Sequence, residues 1–550
     1  MPGDFEPILA QQGGEPDAGA GGSACEAGAS SRRAAGPESD IRRLMGVHAW
    51  LLLLALAWVL LGGLARAGEG VPLTILHFND LHGQLEPVED RDAGTSLGGI
   101  ARLAGAVAAV RAEVSPAPVI VLFGGDLLQG TATSTVFLGL PDIGFLGDLG
   151  VDVAVMGNHE LDYGQEVFRD LLVAARFPIL AANLRAEPEP FAVLPAVVLH
   201  PEGGPRVAVL GLVTDELTTT THPRNTAGIG VEDPVATARR LVPALAPQAE
   251  LVVVLSHLGV AMDRRIAREV PGVDLVVGGH NHHRYDPPIV ENGVPIMQAG
   301  ERGTHLGRLD LRVRDGRVEL LAYRLIPVDA RFPEDARLAA EVRALAVRLE
   351  EEVGVLIGHS AVELDARRET IRRGESNFGN WVCDLARERT GTDLALINGG
   401  GFRASIAPGP VRIKDIYQSF PFGSELVTGY LIGAQIQQAL DRSASLDPED
   451  DPGGFLQVSG LCYTITAGRA EDVSVAGQPL DPDARYRVVI PDFLADGGDG
   501  YVSLQGLAER IDTGTLISDL VMEAFRAGEV ITAATDGRIR RLAADPPSLP

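Results

Sequence analysis

Short apolar runs recur along the chain from Val71 to about Val328, and each ends in a turn that contains glycine or polar residues. The runs alternate with stretches in which apolar residues recur every three or four positions, a spacing typical of helices that cover a sheet. This alternation predicts an α/β core. The runs that we interpret as strands cover residues 73–78, 119–123, 151–156, 207–212, 251–255 and 273–277.

A second α/β unit is predicted after a charged, helical stretch. Ala and Leu recur at helical spacing in this stretch, which predicts a connecting helix over residues 334–354. Residues 355–540 again mix strand-like runs, such as 394–397, with glycine-rich loops. A single core rarely grows beyond about 250–300 residues, so a chain of 550 residues favours more than one domain. We expect a first domain over 68–333, a second over 355–540 and a disordered tail over 541–550.

The N-terminal region has the pattern of an exported protein. Residues 1–44 are rich in Gly, Ala, Ser, Glu and Asp without periodicity, which predicts a disordered leader. The apolar run 49–64 has the length of an export signal, is shorter than a typical membrane span, and precedes an A-x-A pattern ending at Ala67. We predict a signal-peptide region over 45–67, cleavage after Ala67, and a periplasmic or secreted protein without a stable membrane span. An uncleaved signal anchor is the alternative.

Charge and cysteine content exclude some classes of protein. The net charge is −27, and Lys414 is the single lysine. Such an acidic chain is poorly suited to nucleic acid, because phosphate backbones attract basic surfaces. Three cysteines are too few for a disulfide framework. We expect Cys383 and Cys462 to be small buried hydrophobic residues.

Side chains able to bind metals follow five of the predicted strands. The carboxyl ends of such strands lie together at one edge of a sheet, where ligands bind. Each residue alone could be structural, but five of the twelve histidines occupy these positions, which favours a common site. Mixed nitrogen and oxygen donors suit Zn, Mn, Fe or Co rather than Ca, and their number favours two ions over one tetrahedral ion. The residues are Asp80, His82, Asp126, Asn158, His159, His257, His280 and His282.

The motifs around these residues resemble those of the 5′-nucleotidase family within the calcineurin-like metallophosphoesterases. The resemblance implies an N-terminal metallophosphoesterase β-sandwich with flanking helices, a connecting helix, and a C-terminal α/β domain that binds the substrate. The motifs that carry it are residues 77–83, 124–126, 157–164, 256–259 and 278–282.

The resemblance also implies roles for individual residues. A centre of two divalent metal ions would share Asp126 as a bridging ligand, and His159, oriented by Asp162, would face the scissile phosphate. The ligands of the first ion would be Asp80, His82, Asp126 and His282. The ligands of the second ion would be Asp126, Asn158, His257 and His280.

Loops of the second domain would bind the nucleotide. The Gly-rich segment 398–403 follows the strand-like run 394–397 and can present backbone N–H groups of Gly400 and Gly401 to an oxyanion. By resemblance, Arg372 and Arg403 would bind phosphate, and Asn398 would contact the nucleoside or phosphate. The remaining residues implied to bind substrate are Phe422 and Phe493, which would stack on the base, and Asp499, which would bind the ribose hydroxyls.

The implied activity is that of a metal-dependent 5′-nucleotidase, which releases phosphate from nucleoside 5′-monophosphates, with UDP-sugars and other nucleotides as further substrates. The main alternative is a 2′,3′-cyclic-nucleotide 2′-phosphodiesterase/3′-nucleotidase. A thiohydrolase on the same scaffold and a nucleotide-binding protein without turnover are more distant alternatives. The metal, the preferred base and the oligomeric state stay open.

Overall fold

The computed structural model describes residues 6–7, 70–90, 95–314, 317–448 and 452–542. The predicted signal region, and the predicted leader apart from the short strand Glu6–Pro7, lie outside the described residues. Within the described ranges, no helix is both long enough and apolar enough to cross a membrane.

Two β-sheets face each other in the first domain. Apolar side chains of both inner faces, among them Ile75 and Leu122 from one sheet and Val209 and Val253 from the other, form a common buried core. This packing is the predicted β-sandwich. The first sheet has the order Arg317–Pro327, His305–Arg314, Val71–Phe78, Val119–Phe123, Val153–Val155 and Ile179–Leu180. The second sheet has the order Glu6–Pro7, Ala196–Leu199, Val207–Val213, Leu251–His257, Leu275–Val277, Val294–Met297 and Ile289–Glu291.

Helices cover the outer faces of the sandwich and bury one apolar face each against a sheet. The α-helices of this domain are Ile100–Val114, Ala132–Val136, Leu140–Leu149, Gln165–Ala174, Leu217–Thr220, Pro234–Leu245 and Val260–Glu269, with 3₁₀ turns at His159–Leu161 and Ala246–Gln248. Two small antiparallel pairs join Pro87–Asp90 to Thr95–Gly98 and Leu184–Ala186 to Ile229–Val231.

A single long helix, Ala336–Val353, lies between the domains, within the predicted connecting stretch. The carboxylate of Asp335 caps its N-terminus by accepting the backbone N–H of Leu338 at 2.9 Å. The side chain of Leu338 is buried in the core of the first domain. Near the other end, Glu350 accepts a hydrogen bond of 2.5 Å from Lys414 of the second domain. The helix is therefore attached to both domains.

The second domain contains a five-stranded and a four-stranded sheet with two buried cores. The five-stranded sheet has the order Leu456–Ser459, Leu394–Asn398, Arg485–Pro491, Glu425–Ile432 and Ala508–Leu516. The four-stranded sheet has the order Gln478–Pro479, Arg469–Val475, Leu461–Thr466 and Ile539–Arg541, and a separate pair joins Leu356–Ser360 to Gly409–Arg412. The helices are Arg368–Ile371, Asn377–Thr390, Ile413–Ser419, Gly433–Ser445, Asp492–Ala495 and Ile517–Arg526, with 3₁₀ turns at Gly399–Gly401, Gly498–Gly500 and Val502–Leu504.

The two cysteines of the second domain differ in environment. Cys383 is buried as predicted, whereas Cys462 is exposed, so the expectation of a buried Cys462 is wrong. Residues along the strand Leu461–Thr466 point alternately inward and outward, and Cys462 occupies an outward position. Both thiols are free.

A glycine in the helix Ile100–Val114 tests how the connecting segment packs on the first domain. A Cβ atom at Gly105 would overlap the carbonyl oxygen of Pro333, whereas a Cβ at Gly144 in the helix Leu140–Leu149 would meet nothing within 4 Å. We expect Gly105→Ala to lower the free energy of unfolding by about 1–3 kcal/mol through overpacking. Gly144→Ala should raise it by about 0.5–1 kcal/mol, as alanine normally does in a helix. Chemical denaturation measures both, and stabilisation by Gly105→Ala would contradict this packing.

Candidate metal centre and substrate cavity

The predicted metal ligands meet at one end of the sandwich in two groups that share Asp126. Within each group, the candidate ligand atoms of the His and Asp side chains all lie within 4.8 Å of one another. Asn158 joins the second group, because its Oδ1 atom is 3.0 Å from Nδ1 of His280. The first group contains Asp80, His82, Asp126 and His282, and the second contains Asp126, His257 and His280.

Parallel strands bring these residues together. In the first sheet, Val71–Phe78, Val119–Phe123 and Val153–Val155 run parallel, so their carboxyl ends lie at the same edge. In the second sheet, Leu251–His257 and Leu275–Val277 are parallel neighbours. Each strand ends in one of the short motifs, and the two sheets present these ends to a shared site.

The backbone at these strand ends is strained. Left-handed backbone costs a residue with a side chain about 1–3 kcal/mol and persists only where the surroundings impose it. Here it is held by hydrogen bonds between loops, such as those from the backbone N–H of Asp80 to Gly125 O at 2.9 Å and from that of His82 to Asp126 O at 3.1 Å. Such strain is typical of functional sites. The predicted ligands with positive φ are Asp80 at 53°, His82 at 51°, Asp126 at 56°, His280 at 81° and His282 at 60°.

Hydrogen bonds to the backbone select the tautomers of two buried histidines. Nδ1 of His82 is 3.0 Å from Gln129 O, and Nδ1 of His257 is 2.7 Å from Gly124 O. A carbonyl oxygen only accepts, so each Nδ1 carries a proton, and in the neutral ring Nε2 then presents a lone pair. Both lone pairs are therefore available for a metal ion.

These lone pairs face other electron-pair donors. Nε2 of His257 lies 3.1 Å from the carboxylate Oδ2 of Asp126. Nε2 of His82 lies 3.1 Å from Nε2 of His282. Burial lowers the pKa of His257, but the carboxylate of Asp126 outweighs it and raises the pKa to about 10, so a positive charge is favoured between these buried groups. The arrangement therefore fits divalent metal binding, and the nitrogen and oxygen donors are those of a transition metal.

His159 lies beside both groups and is held by Asp162. Its Nδ1 is 2.5 Å from Oδ2 of Asp162, and its backbone N–H donates to Oδ1 of Asp126 at 3.0 Å. Burial alone would lower the pKa of His159, but the carboxylates of Asp162 and Asp126 outweigh it and raise the pKa. The ring can therefore carry a proton on Nε2. The adjacent Glu160 connects two loops, because its carboxylate accepts the backbone N–H groups of Leu127 at 2.7 Å and Gly157 at 2.8 Å.

A cavity of about 620 Å³ lies between the domains, and both domains line it. The side chains of the first domain that line it include Asp126, Asn158, His159, Asp162, His280 and His282. All the residues of the second domain that we predict to bind substrate also line it, namely Arg372, Asn398, Gly400, Gly401, Arg403, Phe422, Phe493 and Asp499.

The aromatic and charged residues of the second domain lie close to the proposed catalytic histidine. The ring of Phe422 stacks on that of His159 with centroids 6.2 Å apart, and the guanidinium of Arg403 is 5.7 Å from the Phe422 centroid. Burial lowers the pKa of Arg403 to about 10, which leaves it cationic at neutral pH. Asn398 Nδ2 donates to Oδ2 of Asp499 at 2.9 Å, and burial raises the pKa of Asp499 to about 6.

Several residues of the site were not identified from the sequence. Glu301 contacts His282. Its position in the sequence could have identified it, because Glu301 follows the strand Val294–Met297 just as the candidate ligands follow other strands. Arg368 and Arg442 line the cavity from helices without any motif. His222 also lines it and bridges the domains, with Nε2 3.1 Å from Oδ2 of Asp492.

Two family models match the chain. The calcineurin-like phosphoesterase family matches residues 73–284, and the 5′-nucleotidase C-terminal domain family matches residues 356–506. The two matched regions contain the metal-ligand groups and the loops of the second domain that line the cavity.

Individual relatives extend over most of the chain. A 5′-nucleotidase of Mus musculus is 31% identical, and the similarity covers 90% of this chain and 95% of that protein. The trifunctional nucleotide phosphoesterase protein YfkN of Bacillus subtilis (strain 168) is 30% identical over 86% of this chain, which spans only 35% of that protein's length. The solved structure of a 5′-nucleotidase precursor from Thermus thermophilus has 34% sequence identity and a TM-score of 0.79, covering 86% of this chain and 100% of that one.

These similarities confirm the predicted fold class, a metallophosphoesterase domain followed by a 5′-nucleotidase C-terminal domain. The fold and the donor groups together support divalent metal binding. The protein is a metal-dependent phosphoric monoester hydrolase. It belongs to the 5′-nucleotidase family of calcineurin-like phosphoesterases.

Proposed function

We propose that the protein hydrolyses nucleoside 5′-monophosphates to nucleosides and phosphate at a centre of two divalent metal ions. The observation that carries the proposal is the single cavity in which metal-ligand residues face arginine, aromatic and acidic side chains of the second domain. A nucleotide has a phosphate, a sugar and a flat base, and the cavity offers a matching group for each part. The names of the similar proteins support the same substrate class.

Different residues along the cavity bind different parts of the nucleotide. Arg372 and Arg403 bind the phosphate as charge-assisted donors. Asp499 accepts hydrogen bonds from ribose hydroxyls, and Phe422 and Phe493 contact the base, where aromatic contact contributes about 1–3 kcal/mol. These contacts place the phosphate ester next to the two ligand groups.

His159 acts on the scissile bond in this proposal. Asp162 holds its Nδ1–H, which directs Nε2 into the cavity and favours the protonated ring. From Nε2 the ring donates a proton or a hydrogen bond to the leaving oxygen, where negative charge develops. Divalent ions, when bound, supply positive charge to the phosphoryl oxygens and activate a water for in-line attack. Zn, Mn, Co and Fe all suit the donors present.

We also propose that the mature protein is periplasmic or secreted and that UDP-sugars are further substrates. The apolar run 49–64 with the A-x-A pattern at Ala67 supports export. A cavity volume of about 620 Å³ supports substrates with a second group beyond the phosphate.

Metal dependence and ester specificity can be tested together. Purified protein should release phosphate from 5′-AMP, lose this activity with a chelator, and regain it with Mn²⁺, Co²⁺ or Zn²⁺, because the ligand groups require a cation. Phosphate release is measured for 5′-AMP and 3′-AMP under each metal. For UDP-glucose and 2′,3′-cyclic AMP the products are separated by chromatography, because their first hydrolysis yields UMP with glucose 1-phosphate and 3′-AMP rather than free phosphate. Faster turnover of 3′-AMP and the cyclic ester than of 5′-AMP would favour the 2′,3′-cyclic phosphodiesterase/3′-nucleotidase instead.

Replacement of His159 separates catalysis from metal binding. His159→Asn should lower kcat for 5′-AMP by about 10²–10⁴-fold, the usual contribution of a general acid, and leave the metal content unchanged. The matched control is His359→Asn, because His359 is exposed in the second domain and lies outside the cavity lining. Wild-type turnover in His159→Asn, or loss of bound metal, would exclude the proposed role.

Export can be tested at the N-terminus. When the full chain is expressed in a bacterium, the mature protein should leave the cytoplasm and begin at Gly68, since signal peptidase would cut after Ala67. N-terminal sequencing of the protein from each cell fraction measures this. A protein that keeps residues 49–64 in the membrane fraction would establish the signal anchor.

A further inference from the structure

Glu301 lies directly behind His282, on the side away from the metal-ligand group. The imidazole Nε2 of His282 is 3.2 Å from Oδ1 of Asp80, so this nitrogen faces the group. The opposite nitrogen, Nδ1, is 3.0 Å from Oε2 of Glu301. Glu301 therefore contacts the one nitrogen of His282 that is not available to a metal ion.

The carboxylate of Glu301 selects the tautomer of His282. An ionised carboxylate only accepts hydrogen bonds, so its contact with Nδ1 requires a proton on that nitrogen, and in the neutral ring the lone pair is then on Nε2. His82 and His257 reach the same tautomer through backbone carbonyls. In His282 alone of these three, the partner is a charged side chain, which also makes the imidazole a stronger ligand.

Arg368 of the second domain contacts the same nitrogen but requires it to be unprotonated. Its NH1 group lies 2.5 Å from Nδ1 of His282, and its NH2 group lies 3.1 Å from Oε2 of Glu301. A guanidinium only donates, so its bond to Nδ1 requires the lone pair there and the proton on Nε2. The contacts of Glu301 and Arg368 with Nδ1 cannot both be hydrogen bonds at the same time.

We propose that Glu301 is a positioning residue that holds His282 in its metal-binding tautomer, and that Arg368 opposes it. The inference rests on the proposed metal centre. Arg368 weakens metal binding by His282 in two ways. It favours the tautomer with the proton on Nε2, and it draws the negative charge of Glu301 towards itself. Since Glu301 and Arg368 belong to different domains, the affinity for one metal ion depends on how the second domain is placed against the first.

The test measures Zn²⁺ affinity rather than turnover. The mature protein is freed of metal with a chelator and titrated with Zn²⁺ against a chromogenic chelator. Glu301→Ala should weaken one of two Zn²⁺ sites by about 10–100-fold, the usual effect of losing a partner of a ligating histidine, and leave the other unchanged. Glu301→Gln should weaken it less, because an amide oxygen still accepts from Nδ1–H.

A matched carboxylate in the same domain serves as the control. Glu291 pairs with Arg264 at 3.4 Å and Arg268 at 3.2 Å, away from the metal-ligand groups. Glu291→Ala should leave both Zn²⁺ affinities at the wild-type value. An equal loss of affinity in Glu291→Ala and Glu301→Ala would show a general effect of charge removal and would overturn the role of Glu301.

Arg368→Met tests the opposing contact. It should tighten the same Zn²⁺ site several-fold, and ¹⁵N NMR of histidine in the metal-free protein should show more of the tautomer with the proton on Nδ1. Weaker Zn²⁺ binding in Arg368→Met would overturn the proposal that Arg368 opposes Glu301. Two Zn²⁺ sites with wild-type affinity in every variant would overturn the inference alone, whereas a wild-type protein that binds no Zn²⁺ would overturn the proposed metal centre as well.

Discussion

The site depends on the convergence of electron-pair donors around Asp126. Oδ2 of Asp126 lies 3.1 Å from Nε2 of His257, and Oδ1 accepts the backbone N–H of His159. A positive charge is favoured between these buried groups, because the carboxylate of Asp126 outweighs the effect of burial and raises the pKa of His257. Asp126 belongs to both ligand groups and contacts His159, so it links the two candidate metal positions and this histidine in one unit.

A rigid scaffold is needed to hold that arrangement. The strands of the sandwich pack their inner faces against one another, and parallel pairing places their carboxyl ends side by side. The turns that follow adopt left-handed backbone at five ligand residues. The free energy of this strain is offset by the core beneath it, which is a common division between stable scaffold and strained site.

The second domain completes the site from the opposite side. The ring of Phe422 lies against His159, and Asp492 pairs with His222 across the boundary between the domains. Arg368 crosses the same boundary to the partners of a metal ligand. The residues proposed for metal binding, phosphate chemistry and substrate recognition therefore lie together at one interface. In this fold, the position of one domain against the other is itself part of the active site.

The sandwich of the first domain was implied only by the resemblance of the motifs to a known family. The sequence by itself determined the α/β class and the strand ends at which the candidate metal ligands lie. These features follow from local rules, since hydrophobic periodicity sets the elements and parallel strands place their ends at a common edge. Strand limits differed by a few residues, as in Val153–Val155 against the predicted 151–156. The outward position of Cys462 depends on the register of its strand, which periodicity alone left open.

Only the tertiary structure decided which side chains meet across the domain boundary. Glu301 and Arg368 are 67 residues apart, and Arg368 and His282 are 86 apart, yet they form one cluster. No local pattern in the sequence encodes such a contact, because it arises from the packing of two separately folded domains. The tautomer of each histidine is decided in the same way, by whichever acceptor or donor the fold places against its second nitrogen.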